Sequence, residues 1–322
     1  MSTVSISFHD LHPTADDLAA DVLAGFSRAQ KAIPPKYFYD AEGSRLFDAI
    51  TELPEYYPTR TEAGILRHHA ADIAAACADG CVLIEPGSGN CEKVRYLLRE
   101  LTPAAYVPMD ISADFLLRAA TALAAEYPQL TIHAVCADFN AAWEAMPALP
   151  RGKRVIFYPG STIGNLEPDQ ARAFLSRVRS WMGADGGALI GVDLHKSAAI
   201  LHPAYNDKQG VTADFNLNIL HHVNRVVDAG FDPDNFEHRA FYDADRQRIE
   251  MQLVSRVAHS VRCNGERVNF ARGETIRTEY SYKYTVEGFA ALARSAGLEI
   301  SRSWLDAQRL FSVHYLQPGP QD

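Results

Sequence analysis

The sequence predicts an α/β protein built on a doubly wound parallel sheet, with an α+β insertion that forms a second, smaller domain. The first observation is a series of short apolar runs that alternate with helical patterns at 90–101, 112–126 and 167–182; the runs lie at 81–85, 105–109, 130–136, 153–158 and 187–192. These runs are mostly continuous, as expected for strands that are covered on both faces. The second observation is that the alternation stops over residues 197–283, which indicates the insertion.

The remaining elements follow from local patterns. Residues 14–34 and 59–78 predict helices, and an aromatic, proline-rich stretch with a short helix at 44–50 lies between them. The many tyrosines of that stretch predict an aromatic surface that packs over another part of the molecule. The tail from residue 284 predicts a helix, then a glycine, then an antiparallel strand pair that completes the sheet.

Within the insertion, "TADFNLNILHHVNRVV" predicts a helix and Asn264-Gly265 predicts a hairpin turn. The alternation of apolar and polar residues in "RIEMQLVSRV" predicts a half-buried strand. We therefore divide the chain into residues 1–196, with the N-terminal helices and the sheet, 197–283, the insertion, and 284–322, the closing elements. Whether the N-terminal helices pack with the insertion stays open.

Composition narrows the function classes. The 322 residues are 47% apolar and 22% charged, with a net charge of −9, which disfavours a nucleic-acid partner. The five cysteines contain no CxxC pair and no histidine spacing supports a metal, so we expect reduced thiols and no metal. Without a signal-peptide pattern or a membrane-spanning apolar run, we expect a cytoplasmic protein that binds no membrane. We also expect a monomer.

The stretch "LIEPGSGNCEK", residues 83–93, predicts a strand, a turn with Gly87 and Gly89, and a helix. This arrangement offers backbone N–H groups to a nucleotide. No GK[ST] follows, and Glu92 replaces the third glycine of the dinucleotide fingerprint, where it would repel a pyrophosphate. S-adenosylmethionine has no phosphates and carries a sulfonium cation, so acids such as Glu85 and Glu92 are compatible with it.

Acids also end the next two predicted strands. Asp110 lies 21 residues after Gly89 and can accept hydrogen bonds from ribose hydroxyls, while Asp138 can accept one from an adenine amino group and Phe139 can stack on the ring. This order favours a methyltransferase-type Rossmann domain over an NAD-dependent dehydrogenase. A turn that serves only packing, with solvent-facing carboxylates, remains the alternative.

The fourth predicted strand leads into "PGSTIGNLEP". Gly160, Ser161 and Thr162 offer free backbone groups, and the Asn165 amide can bind an amino acid's ammonium or carboxylate group. The alternative is an ordinary turn that caps the helix at 167.

Four segments together resemble the L-histidine Nα-methyltransferase (EgtD-like) family of ergothioneine biosynthesis: "PPKYFYDAEGSRLFDAITELPEYYPTRTEAGIL", "EPGSGNCEK", "PGSTIGNLEP" and "ETIRTEYSYKYT". The likeness runs from about residue 30 to the end of the chain. It implies a class I (Rossmann-like) S-adenosylmethionine-dependent methyltransferase. It also implies three methyl transfers that convert L-histidine to Nα,Nα,Nα-trimethyl-L-histidine (hercynine), the first step of ergothioneine biosynthesis.

The resemblance also implies roles for individual residues. Those expected to hold S-adenosylmethionine are Tyr39, Gly87, Ser88, Gly89, Lys93, Asp110, Asp138 and Phe139. Those expected to hold the amino acid are Phe47, Tyr56, Gly160, Thr162, Asn165, Tyr205, Met251, Glu279 and Ser281. Tyr39 and Asn165 are expected to be the catalytic residues. Pro86 and Asn90 depart from the usual pattern of the glycine turn.

Glu279 and Ser281 lie two residues apart on a predicted strand, hence on one face, where they can bond an imidazole ring. This pair favours histidine, because an indole ring has no acceptor atom. A related Nα-methyltransferase that acts on tryptophan or tyrosine remains the alternative. A non-catalytic nucleotide-binding protein is a more remote one.

Overall fold

The computed structural model describes residues 6–11, 15–138 and 148–320. The helices within these ranges are α1 (Ala15–Phe26), α2 (Ala41–Thr51), α3 (Tyr57–His68), α4 (Ala70–Cys77), α5 (Val94–Leu98), α6 (Ala113–Glu126), α7 (Pro168–Met182), α8 (Ala198–Tyr205), α9 (Val211–Val226) and α10 (Val286–Ser295). The strands are β1 (Ile6–Leu11), β2 (Val82–Pro86), β3 (Ala105–Asp110), β4 (Ile132–Ala137), β5 (Arg154–Tyr158), β6 (Gly187–Asp193), β7 (Phe236–Asp243), β8 (Arg248–Ser255), β9 (His259–Cys263), β10 (Glu266–Phe270), β11 (Thr275–Tyr282), β12 (Leu298–Leu305) and β13 (Phe311–Pro318).

The chain clusters into two compact units. The first contains Met1–His12, Pro58–His195 and Lys283–Asp322, and the second contains Pro13–Tyr57 and Lys196–Tyr282. The segment Pro13–Tyr57 therefore clusters with the insertion rather than with the sheet.

The first unit holds an eight-stranded sheet in the order β1-β4-β3-β2-β5-β6-β13-β12. The first six strands in this order are parallel, and β13 runs antiparallel to both β6 and β12. One buried cluster on the sheet includes residues of α3 to α6, and the other includes residues of α7 and α10. Apolar cover on both faces explains why the strands are continuous apolar runs, and the prediction of a doubly wound sheet closed by an antiparallel pair is confirmed.

Three predicted helices are shorter or divided in the structure. The helix predicted at 14–34 ends at Phe26, and the one at 59–78 divides at His69, whose φ of −109° interrupts the helical backbone. The helix predicted at 90–101 begins only at Val94, because the left-handed Cys91 (φ 55°) still belongs to the glycine turn. Strand β1, which pairs in parallel with β4 at the sheet edge, was not predicted.

The second unit holds a three-stranded antiparallel sheet in the order β11-β8-β7 and the hairpin β9–β10. Asn264 (φ 47°) and Gly265 (φ 81°) form the predicted hairpin turn. The prediction of a half-buried β8 is wrong, since all eight residues are buried. Its polar residues satisfy one another: Arg248 Nε donates to Glu250 Oε1 at 3.0 Å, and Gln252 Nε2 donates to Glu250 Oε2 at 3.1 Å.

All five cysteines are buried and free. Within the described ranges, no helix has the length and apolar character needed to span a bilayer.

Candidate active site

The glycine turn follows β2 in the first unit. Gly87 (φ 71°) and Gly89 (φ 54°) both adopt left-handed backbone conformations, which glycine enters without steric cost. The Gly89 N–H donates to Asp110 Oδ2 at 3.1 Å, which ties the turn to the end of β3. A Cβ atom at Gly89 would meet no described atom within 4 Å, so the turn leaves space for a ligand.

Asp110 lies at the end of β3, and Ser112 is the N-cap residue directly before α6. The Ser112 N–H donates to Asp110 Oδ1 at 3.0 Å, while the Ser112 side chain makes no capping hydrogen bond. Burial raises the pKa of the Asp110 carboxyl above its ordinary value, against the opposite effect of the N–H groups of Ser112 and Gly89. The carboxylate therefore stands half-buried beside the turn with both oxygens held by backbone donors.

Glu85 lies at the base of the turn and is only 1% exposed. The Tyr106 hydroxyl donates to Glu85 Oε2 at 2.5 Å. Burial raises the pKa of Glu85 to about 8. Glu85 is thus a buried group bonded within the sheet.

Glu62 of α3 is a functional candidate that sequence reasoning missed. Both of its carboxylate oxygens accept the Gly160 N–H, at 2.9 and 3.0 Å, and Oε2 lies 2.6 Å from Lys93 Nζ. The Glu62 side chain is 1% exposed and that of Lys93 is 25% exposed. The signal was present: Glu62 lies one turn before Ile65 and Leu66 and extends their buried stripe.

The loop after β5 contains two consecutive residues in the left-handed region, Gly160 (φ 78°) and Ser161 (φ 57°). Such a conformation in a serine is strained and requires support from its surroundings. The Asp193 N–H supplies it by donating to Ser161 Oγ at 2.8 Å, and Thr162 Oγ1 donates to the Pro159 carbonyl at 2.9 Å. Asn165, half-buried, ends the short 3-10 segment that follows.

Asp138 follows β4 and is half-buried, whereas Phe139 lies outside the described residues. The carboxyl ends of β2, β3, β4 and β5 meet at one edge of the parallel sheet, so Gly87, Asp110, Asp138 and Gly160 share that edge. This is where doubly wound sheets bind their ligands. A glycine turn with space beside it and carboxylates at the next two strand ends fits S-adenosylmethionine, which brings hydroxyl and amino donors but no phosphate.

The second unit contains an aromatic cluster formed by Tyr39, Phe47, Tyr56 and Phe215. Phe47 lies at its centre, with ring centroids 5.8 Å from Tyr39, 6.3 Å from Tyr56 and 5.9 Å from Phe215. Phe215 of α9 was not among the predicted residues. The first three are half-buried, so each keeps part of its surface accessible.

Four further predicted residues come together in the second unit. The Tyr205 hydroxyl, at the end of α8, donates to Ser281 Oγ at 2.8 Å. Glu279 stands opposite Met251 on the neighbouring strand β8, and Ser281 stands opposite Ile249. The predicted placement of Glu279 and Ser281 on one face, with Met251 beside them, agrees with this register.

Within the described ranges, the His, Cys, Asp and Glu residues form no group of three or more that could hold a metal ion. The strand order, the glycine turn and the carboxylates at successive strand ends define a class I (Rossmann-like) S-adenosylmethionine-dependent methyltransferase. The family model described as "Histidine-specific methyltransferase, SAM-dependent" matches residues 18–318. The protein belongs to this family.

Known relatives cover nearly the whole chain. A histidine N-alpha-methyltransferase from Mycolicibacterium smegmatis is 46% identical over 299 residues, which cover 91% of this chain and 92% of the relative. One from Mycobacterium tuberculosis is 44% identical and covers 90% and 91%. Ergothioneine biosynthesis protein 1 from Neurospora crassa is 31% identical over 85% of this chain, which corresponds to 32% of that longer protein.

Proposed function

We propose that the protein transfers three methyl groups from S-adenosylmethionine to the α-amino nitrogen of L-histidine and releases hercynine. The choice of L-histidine as substrate rests on one arrangement. Glu279 and Ser281 lie on the same face of β11 beside Met251, and Ser281 is hydrogen-bonded to Tyr205. A carboxylate and a hydroxyl on one face can bond both nitrogens of an imidazole ring. Membership of the histidine-specific family supports this assignment.

The cofactor is assigned to the first unit, with Tyr39 of the second unit as a further contact that rests on the family resemblance. Gly87, Ser88 and Gly89 would bring the backbone close to S-adenosylmethionine, and Asp110 would accept the ribose hydroxyls. Asp138 and Phe139 would bind the adenine, and Lys93 would bind the methionine part. When bound, the cofactor supplies a methyl group on a sulfonium centre, and we propose that no metal takes part.

The amino acid is assigned to three kinds of group. Asn165 and Tyr205 would hold the carboxylate, and the backbone at Gly160 and the side chain of Thr162 would also contact the amino acid. Glu279 would accept a hydrogen bond from the imidazole N–H, and the hydroxyls of Ser281 and Tyr56 would hydrogen-bond to the ring nitrogens. Phe47 and Met251 would limit the size of the side chain.

The chemical step is an in-line displacement, so these residues act mainly by alignment and proximity. The amino group must be neutral to attack, although its pKa lies above neutrality. None of the assigned residues is a strong base, and we propose that the proton leaves through water. Three transfers to one nitrogen require that the carboxylate and the ring are held firmly while the nitrogen can turn between rounds.

The proposed selectivity for histidine over tryptophan or tyrosine rests on Glu279. An indole ring can donate one N–H but has no acceptor atom for the Ser281 hydroxyl, and its large apolar surface would desolvate the Glu279 carboxylate at a cost in free energy. We further propose that the protein is a cytoplasmic monomer, without nucleic-acid or membrane partners. We also propose that it acts first in ergothioneine biosynthesis, and the name of the Neurospora relative supports a place in that pathway.

The direct test is product analysis after incubation with S-adenosylmethionine and L-histidine. Mass spectrometry should show gains of one, two and three methyl groups, and NMR should place all of them on the α-nitrogen. Histidine methyl ester should be a poor substrate, because it lacks the carboxylate that Asn165 and Tyr205 would bind. Methylation of a ring nitrogen would refute the proposed orientation, and methylation of tryptophan in preference to histidine would favour the alternative substrate.

A further inference from the structure

Strand β11 contains a β-bulge. Arg277 pairs with Gln252 and the next paired residue, Glu279, stands opposite Met251, so that Thr278 is one extra residue in the ladder. On its other edge, Arg277 is fixed by two backbone hydrogen bonds: its N–H donates to the Lys31 carbonyl at 2.8 Å, and its carbonyl accepts the Ile33 N–H at 2.9 Å. The bulge therefore begins directly after a firmly held position.

The bulge decides which face Glu279 and Ser281 occupy. Residues opposite each other on paired strands share a face, and a shift of one residue moves every later side chain to the other face. Continued without the bulge from Arg277, the register would set Glu279 opposite Glu250 and Ser281 opposite Arg248, on the face of that buried ion pair. With the bulge, both residues share the face of Met251 and Ile249.

The side chain of the bulge residue is fixed by a buried amide. Thr278 Oγ1 donates to Asn216 Oδ1 at 2.7 Å, and Thr278 and Asn216 are 1% and 0% exposed. The two amide hydrogens of Asn216 go to the Gln252 carbonyl at 3.0 Å and to His238 Nδ1 at 2.9 Å. Both amide hydrogens and the amide oxygen of Asn216 thus form hydrogen bonds, and these bonds join α9 to β7, β8 and β11.

The same network reaches Tyr205. Because the Asn216 amide donates to His238 Nδ1, the proton of the ring lies on Nε2, which donates to the Tyr205 carbonyl at 3.0 Å. Burial lowers the pKa of His238, against the opposite effects of its hydrogen bond to Tyr205 and of the Asp207 charge. The neutral ring that this favours is the form that the Asn216 bond requires.

We infer that Thr278 and Asn216 are positioning residues for amino-acid selectivity: together they fix the bulge that presents Glu279 and Ser281, and through His238 they fix Tyr205. This inference rests on the proposed function, in which these three residues bind the amino acid. Thr278 and Asn216 would act through the residues they hold. Their loss should therefore weaken the recognition of histidine while the affinity for the cofactor is kept.

The test compares Thr278→Val, which keeps the shape and removes the hydroxyl, with Thr275→Val on the same strand. Thr275 is a matched control, because its hydroxyl also forms a side-chain hydrogen bond, with Gln30. It lies before the bulge, so its loss should leave the bulge in place. Thr278→Val should raise KM for histidine by about tenfold or more, as misplaced binding groups do. KM for S-adenosylmethionine should stay within twofold, which corresponds to about 0.4 kcal/mol. Thr278→Ser should restore the histidine KM, because it restores the hydroxyl.

A second pair guards against a folding defect. Asn216→Ala is compared with Asn224→Ala on the same helix, whose amide holds Phe231 through two backbone hydrogen bonds and does not reach the bulge. Both should lower Tm, but only Asn216→Ala should raise the histidine KM and increase the use of tryptophan relative to histidine. Equal histidine KM values in Thr278→Val and Thr275→Val would overturn this inference but leave the proposed function standing. A parent protein that does not methylate histidine would overturn the proposed function as well.

Discussion

Glu62 Oε2 lies 2.6 Å from Lys93 Nζ, and the same carboxylate accepts the N–H of Gly160. One buried acid thus joins the residue at the start of α5 to the loop after β5. The absence of side chains on two glycines makes this approach possible. A Cβ at Gly160 would lie 2.9 Å from Lys93 Nζ, and one at Gly191 would lie 2.1 Å from Glu62 Oε1.

The first prediction follows from this ion pair. Glu62→Gln keeps an acceptor for the Gly160 N–H but removes the charge that holds Lys93. If Lys93 binds the cofactor as proposed, KM for S-adenosylmethionine should rise about 10–150-fold, which corresponds to the loss of a charged hydrogen bond of about 1.5–3 kcal/mol. The double variant with Lys93→Met should be no worse than Lys93→Met alone, since the two residues act as a unit. Additive losses would show that Glu62 acts independently of Lys93.

A control for this experiment is Glu42→Gln. Glu42 also pairs with a cation, Arg45, but the side chains of that pair are 50% and 64% exposed. Exposed pairs contribute little, so this variant should keep the KM for S-adenosylmethionine.

The second prediction concerns Asp110. Asp110→Ala should weaken the binding of S-adenosylmethionine by about 10–150-fold, because the ribose hydroxyls lose a charged acceptor. Burial raises the pKa of this carboxyl, so the affinity of the parent should fall as the pH drops through that raised value and the carboxylate is protonated. Asp110→Asn should remove this pH dependence. Calorimetry at several pH values checks both points, and NADH binding by the parent would contradict the choice of cofactor.

The sheet and the cofactor turn could be predicted because their signals are local. Continuous apolar runs mark strands covered on both faces, and Gly87, Gly89 and Asp110 stand at fixed distances from those runs. Strand β1 gave a weaker signal, since polar side chains interrupt it and its partner β4 is more than a hundred residues away.

The bulge at Thr278 could not be predicted for a related reason. Threonine is ordinary in strands, and nothing near it in the sequence shows that its hydroxyl meets an amide 62 residues away. The position of Glu279 on a face was predicted from alternation alone. The structure shows that a β-bulge between Arg277 and Glu279 sets the face, and we infer that this long-range contact holds the bulge.

The third prediction concerns stability. His314 is fully buried between Ser303 and Ser312, and burial lowers its pKa from 6.5 to about 4. Between these values the unfolded chain binds a proton that the folded chain does not, so the stability contributed by the neutral ring is complete above pH 6.5 and is lost as the pH falls toward 4. The free energy of unfolding should drop by about 2 kcal/mol at pH 5 from this group.

Urea unfolding of the parent and of His314→Gln at pH 7.5 and pH 5 measures this effect. The variant should be less stable at pH 7.5 but should lose less stability between the two pH values. His221→Gln, at an exposed position, serves as the control. Its free energy of unfolding should fall between pH 7.5 and pH 5 by as much as that of the parent. Equal losses in the parent and in His314→Gln would assign the acid sensitivity to other groups.

The last prediction concerns the choice of amino acid. Glu279→Ala should lower kcat/KM for histidine by about 10–150-fold, since the imidazole N–H loses a charged acceptor worth about 1.5–3 kcal/mol. The kcat/KM for tryptophan should not fall and should rise, because the carboxylate that disfavoured a largely apolar ring is gone. Met251 stands directly opposite Glu279 and is 2% exposed, so Met251→Val should add room at the same place and shift selectivity further. Kinetics of both single variants and the double variant with each amino acid test the pair together. A double variant that methylates histidine as well as the parent and still rejects tryptophan would show that neither residue contacts the substrate.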